Sequence, residues 1–163
     1  MTFIEAVKDP DALTMTMVAE FDRPAERVWK LWEDPRQLER WWGPPGWPTT
    51  FTRHDFAVPG RSTYYMSGTE GEKAHGWWSW LEIAEPTTLR VEDGFADENG
   101  DPTGDLGSTV FTVTLEPTDG GGTRMSIASQ FESAEQLQAM VDMGMEEGMK
   151  GSLGQIDAIL AED

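Results

Sequence analysis

Few side chains in this sequence could do chemistry, and most of those are carboxylates. Thirty Asp and Glu stand against twelve Lys and Arg, with two histidines and no cysteine. A chain without cysteine has no disulfide framework, no thiolate nucleophile and no thiolate-ligated metal. His54 and His75 alone do not make up a zinc set, so neither a metal nor a cofactor is expected. Asp97, Asn99 and Asp101 imitate the opening of a calcium loop, but Gly100 comes early and Pro102 stands where the loop needs its glycine. That stretch reads as an exposed acidic loop. There is no phosphate-cradling glycine loop and no nucleophile elbow. A Ser/His/Asp triad is a spatial pattern, and nothing in the spacing argues for one.

Asp93 has a more unusual setting. It falls in phase with Leu89, Val91 and Phe95, while Arg90 and Glu92 take the other face. If the alternation holds to Phe95, a carboxylate enters the interior and burial raises its pKa. If the strand ends at Glu92, Asp93-Gly94 is a solvated turn instead. On the first reading Asp93 and His75 are polar anchors for a mostly apolar ligand. The apolar wall would come from aromatics and methionines. Tyr64 and Met66 share a phase on one strand. On the next, His75, Trp77, Ser79, Leu81 and Ile83 share a phase opposite Trp78, Trp80 and Glu82, and a bulge would exchange the two sets. Trp41 and Trp42 end a short helix, Phe111 lies on a later strand, and Met140, Met145 and Met149 follow near the C-terminus. Core packing is the plain alternative for every one of these rings and thioethers. The pocket reading rests on their aiming at one interior.

The elements that must position these residues can be read from periodicity. Residues 1–12 are an ambiguous lead-in with a turn at Asp9-Pro10-Asp11. Leu13 to Phe21 alternates as a half-buried strand. Asp22 and Pro24 open a short helix with Ala25, Val28, Leu31 and Trp32 as its buried stripe, and Asp34-Pro35 starts a second, Arg36 to Trp41. Six strands follow: Thr49–Phe56, Ser62–Ser67, Ala74–Ile83, Thr88–Phe95, Ser108–Glu116 and Thr123–Phe131, the last two joined through a glycine-rich turn. Ser133 with Gln136 then caps one long amphipathic helix running to Leu160. Four glycines interrupt it, Gly144, Gly148, Gly151 and Gly154, at about 1 kcal/mol each relative to Ala. A sum near ~4 kcal/mol is large against a stability of ~5–15 kcal/mol. Either the backbone packs closely there, or it kinks, or the missing side chains leave room for a guest.

A meander of strands with one apolar face needs a cover, and the C-terminal helix is the only element long enough. The expected fold class is therefore α+β: a curved antiparallel sheet of about seven strands gripping one long C-terminal helix, with two short helices closing one end. A length of 163 residues suits a single domain spanning 1–163. The formal charge of −18 repels nucleic acid and anionic membrane. No apolar run reaches the ~18–20 residues of a membrane span, and no signal pattern opens the chain, so a cytoplasmic location is expected.

The run Asp34-Pro35-Arg36-Gln37-Leu38-Glu39-Arg40-Trp41-Trp42-Gly43-Pro44 resembles the signature after the first helix of the START-like (SRPBCC) superfamily, and more narrowly the homologues of the activator of the heat-shock chaperone ATPase. Gly76 with Leu81-Glu82-Ile83-Ala84-Glu85-Pro86 resembles the family's glycine-to-proline strand, and Gly121-Gly122-Thr123-Arg124-Met125 its last hairpin. Gly144-Met145-Glu146-Glu147-Gly148-Met149 resembles the opening of its closing helix, where an aromatic often stands at the position of Met149. The resemblance spans about Leu13 to Leu160 and implies a helix-grip fold with a hydrophobic cavity whose mouth lies near Trp41 and Trp42. It does not imply one chemistry, since members include lipid and polyketide binders, cyclases and hydrolases, antibiotic-sequestering proteins and co-chaperones.

Three classes of function remain. The favoured one is non-catalytic binding of a small aromatic, lipid or polyketide-like molecule. The second is a cyclase- or hydrolase-type enzyme using the same cavity, with Asp93 or His75 as acid or base. The third is an interaction protein of the chaperone-activator kind. It is least favoured, because these residues lack the extra N-terminal domain of the eukaryotic co-chaperone and such acidity offers no obvious docking patch. Pairing into a homodimer is a further alternative left open by the resemblance.

Overall fold

The computed structural model describes residues 2–163. Its strands are β1 (Thr2–Asp9), β2 (Thr14–Phe21), β3 (Thr49–His54), β4 (Gly60–Ser67), β5 (Lys73–Ala84), β6 (Thr88–Phe95), β7 (Ser108–Pro117) and β8 (Thr123–Gln130). All pair antiparallel in one sheet, ordered β1-β2-β8-β7-β6-β5-β4-β3. The sheet has eight strands where about seven are expected from the sequence, and β1 is the addition. Glu5, Val7, Lys8 and Asp9 are exposed on it, and its register shifts between Phe3 and Glu5. Among the side chains described from Glu5 to Asp9 only Ala6 is even partly buried, so that stretch carries no period-2 signal to read.

The inner face of the sheet carries the alternation that the sequence shows. Met15, Met17, Ala19 and Phe21 of β2 are buried, as are Phe111, Val113 and Leu115 of β7 and Met125 and Ile127 of β8. Helices α1 (Ala25–Glu33) and α2 (Pro35–Trp41) close one end. Asp34 caps α2 by accepting from the Arg36 N–H at 2.9 Å, with Pro35 at the first helical position. Trp29, Trp32, Leu31 and Val28 of α1 are fully buried. The Trp32 indole donates to Met125 Sδ at 3.4 Å, and the buried Trp41 donates to the Leu31 carbonyl at 3.0 Å. His54 is mortar rather than a reactive group. It spans Ser62 Oγ (2.8 Å) and the Trp32 carbonyl (3.1 Å), and burial lowers its pKa.

The C-terminal segment departs from the single long helix expected. It is three pieces: α3 (Ala134–Asp142), α4 (Met145–Leu153) and α5 (Ile156–Leu160). The first break is at Gly144, whose φ of +86° is left-handed and ends the α3 hydrogen-bond ladder. The second is a turn at Gly154-Gln155. Ser133 does cap α3, accepting from the Gln136 N–H at 3.0 Å. The Gln136 amide in turn donates to the Leu106 (2.6 Å) and Ser108 (3.0 Å) carbonyls, tying α3 to the loop before β7. Ser152 and Gln155 tie α4 and the following turn to the end of α2 through the Trp42 (3.1 Å) and Gly43 (2.6 Å) carbonyls.

Two of the four glycines have packing consequences that differ from one another. A Cβ on Gly151 would stand 2.8 Å from Pro45 Cδ, so the backbone of α4 lies directly against the Pro44-Pro45 turn. A Cβ on Gly148 would meet nothing within 4 Å. One glycine allows close approach and the other borders open space.

Candidate functional site

The space beside Gly148 is a cavity of about 310 Å³ between the inner sheet face and the C-terminal helices. Pairing of β5 with β6 sets which side chains reach it. Gly76, Trp78 and Trp80 pair with Phe95, Asp93 and Val91, and the register then shifts between Trp80 and Glu82. Leu81 is the extra residue, so even-numbered positions face inward before it and Ile83 does so after it. The expected phase is thereby corrected. Trp78 and Trp80 are buried inside, whereas Trp77 and Ser79 lie on the outer face, where Trp77 packs under the Arg61 guanidinium at 5.5 Å.

Of the other residues singled out, Trp42, Tyr64, Met66, Asp93 and Phe111 line the cavity from the sheet and α2 side, and Met140, Met145 and Met149 from the helix side. His75 reaches the cavity edge, but its ring lies against that of Tyr65 at 5.7 Å, in the outward phase. It is therefore not placed as an anchor beside Asp93. Trp41 is withdrawn into the core, edge-on to Trp32 at 4.8 Å, and is not a lining residue. Trp42 takes the position at the wall, 4.8 Å from the Trp78 ring and stacked near Phe111 at 5.8 Å.

Asp93 is the polar centre of this apolar space. It pairs in register with Trp78 on one side and Thr109 on the other, so β6 does not end at Glu92. Among the described residues no hydrogen bond reaches its carboxylate. Burial pushes its pKa up to about 7. The Tyr64 phenol is raised as well, by burial first and the Asp93 charge second. Gly76 permits this approach, since a Cβ there would stand 2.4 Å from the Tyr64 hydroxyl. The Trp42 and Trp78 indole N–H groups are buried without a hydrogen bond of good geometry, yet both lie near enough to the Tyr64 hydroxyl to favour its ionised form.

Thr109, Ser129 and Ser152 also line the cavity. They are the polar residues missed in the sequence, although Thr109 shares the phase of Phe111, and Ser129 that of Ile127. A hydroxyl in the apolar phase of a strand was the available signal. A larger concavity of about 580 Å³ lies among Asp22, Glu116, Asp119 and Arg124. Its walls are charged chain ends, with Arg124 paired to Glu20 at 2.9 Å, so it offers no apolar interior. No group of three or more potential metal ligands occurs among the described residues. Nor is any helix there long and apolar enough to cross a membrane.

The sequence model of the family described as Activator of Hsp90 ATPase homolog 1-like protein matches residues 22–161. A solution structure of a protein from Arthrobacter aurescens is 55% identical, covers 99% of this chain and 94% of its own, and superposes with a TM-score of 0.93. The crystal structure of Ms6760 from Mycobacterium smegmatis is 43% identical, covers 97% of this chain and 96% of its own, with a TM-score of 0.90. An AHSA1 protein from Silicibacter pomeroyi, 21% identical over 91% of this chain and 97% of its own, shares the fold with a TM-score of 0.72. No protein of curated function matches.

Proposed function

Since the chain belongs to the Activator of Hsp90 ATPase homolog 1-like family, we propose that it is a member whose work is done in its cavity, binding a small, largely apolar molecule between the sheet and the C-terminal helices. The observation that carries this reading is the 310 Å³ space itself, walled by rings and thioethers and entered by one carboxylate without a hydrogen bond. Solid cores leave few voids larger than a water molecule, and pockets of this size with sparse polar groups are the usual form of small-molecule sites. Four methionines on the helix side, Met140, Met143, Met145 and Met149, suit a guest of variable shape, because thioether chains adapt their rotamers.

Titration with the neutral probe N-phenyl-1-naphthylamine tests it. The expected result is a saturable rise in probe fluorescence with quenching of tryptophan, both abolished in Gly148→Leu, whose side chain would occupy the open space. Equal binding by that variant, or no saturable binding to the native protein, would refute the reading. The raised pKa of Asp93 favours a second reading, acid–base chemistry on the bound molecule. Conversion of a bound ester or polyketide-like substrate, lost in Asp93→Asn, would select it over sequestration.

A further inference from the structure

The walls of the cavity also bear on what kind of apolar molecule it takes. Among the described residues its lining contains no lysine and no arginine, so no such side chain at the wall pairs with the Asp93 carboxylate. From β5 it faces Trp78 and Gly76, from β7 Thr109, from β4 Tyr64, and from the helix side Met140, Met145 and Met149. The other titratable groups at the wall are Tyr64, which burial keeps neutral, and His75, whose ring lies outward against Tyr65. Glu92 alternates to the outer side and accepts from Ser108 Oγ at 2.8 Å.

A carboxylate in such a site recognises either a proton donor or a cation. Several observations favour the cation. Rings of Trp42, Tyr64 and Phe111 line the same space, with the fully buried Trp78 packed behind them and centroids of neighbouring pairs 4.8–5.8 Å apart. Their faces carry the negative part of the ring quadrupole and attract ammonium groups. Thr109, in register with Asp93 on the neighbouring strand, and Ser129 farther along the wall supply hydroxyl oxygens that can accept ammonium protons. The chain as a whole carries −18, a field that concentrates cations and repels anions.

We propose that the cavity is selective for a cationic amphiphile: an aromatic or alicyclic body against the rings and methionines, and a protonated amine against Asp93. This rests on the cavity-binding reading above and names the ligand class for it. Binding the amine requires the ionised carboxylate. With the pKa of the free site pushed up to about 7 by burial, affinity for a permanently charged amine rises with pH across that value and levels off above it.

Calorimetric titration of the native protein with three naphthalenes of equal body separates the two claims: 1-naphthylmethylamine, 1-naphthalenemethanol and 1-naphthoate. The amine should bind about tenfold or more tightly than the alcohol, and the carboxylate not measurably. In Asp93→Asn the amine should lose its advantage over the alcohol, with a circular dichroism spectrum and melting transition like the native protein's showing that the variant is folded. The amine's affinity should rise between about pH 5 and pH 8 in the native protein and stay flat in Asp93→Asn. Equal binding of amine and alcohol, or an amine preference that survives Asp93→Asn, overturns the cationic selectivity and leaves the cavity reading standing. Failure of all three naphthalenes to bind overturns both.

Discussion

Replacing Gly144, Gly148 and Gly151 by alanine, one at a time, tests how the C-terminal segment is built. All three would be scored alike by helix propensity, each gaining about 1 kcal/mol on conversion to Ala inside a regular helix. The structure separates them. At Gly148 nothing lies within 4 Å of the new Cβ, so the propensity gain is realised. Gly148→Ala should therefore stabilise the protein by about 1 kcal/mol and raise its melting temperature by roughly 2–4 °C for a domain of this size. At Gly151 the new Cβ would stand 2.8 Å from Pro45 Cδ, and overpacking of about 1–3 kcal/mol cancels or outweighs the gain. At Gly144, with φ +86°, alanine is forced into the left-handed region at about 1–2 kcal/mol and no helical gain is available. Urea unfolding and thermal melting of the three variants against the native protein are the assay. The expected order is Gly148→Ala above native, with Gly151→Ala at or below it and Gly144→Ala below. A destabilised Gly148→Ala, or three equal gains, would refute the open space beneath α4 and the break at Gly144 together.

Asp93→Asn should alter the pH dependence of stability. Below about pH 4 the carboxyl is protonated in both folded and unfolded chains; between there and pH 7 the folded protein keeps a proton that the unfolded chain releases, so stability falls as pH rises. The slope from this one group is about 1.4 kcal/mol per pH unit over that window, and it should be missing from the difference curve of the Asn variant; parallel native and variant curves would mean that Asp93 is solvated. Trp77→Ala should leave the affinity for N-phenyl-1-naphthylamine unchanged and lower stability by about 0.5–1 kcal/mol through the lost contact with Arg61. Loss of probe binding in Trp77→Ala would reverse the assignment of inner and outer faces on β5.

The strands with one buried face were legible in the sequence because burial imposes the period-2 pattern. Leu89 and Val91 of β6, Phe111 to Leu115 of β7 and Met125 to Ile127 of β8 all fall inward as their alternation indicates. The same alternation carries Asp93 inward. The short helices were equally plain, since Asp34-Pro35 is a local capping signal that needs no tertiary partner. Two features resisted. In β5 both phases hold tryptophan, so hydrophobicity cannot choose between them, and only the bulge at Leu81 and the pairing of Trp78 with Asp93 do. In β1 the described side chains from Glu5 to Asp9 are exposed apart from a half-buried Ala6, so no period marks them.

The glycines mark the division between what sequence alone determines and what needs the folded molecule. By itself the sequence determined an apolar stripe from Leu137 to Leu160, which must cover the sheet, and four positions in it without a side chain. It also set the supply of rings and thioethers, and the single acid in phase with them. Why each glycine is there depends on what stands opposite its Cα: Pro45 at Gly151, empty space at Gly148, a left-handed turn at Gly144. A missing side chain is the same letter in all three cases. The tertiary structure alone decided that the cover is broken rather than continuous, that Trp42 and not Trp41 meets the cavity, and that Trp77 faces away from it. Each of those outcomes is set by contacts between elements distant in the chain, and local periodicity carries no information about them.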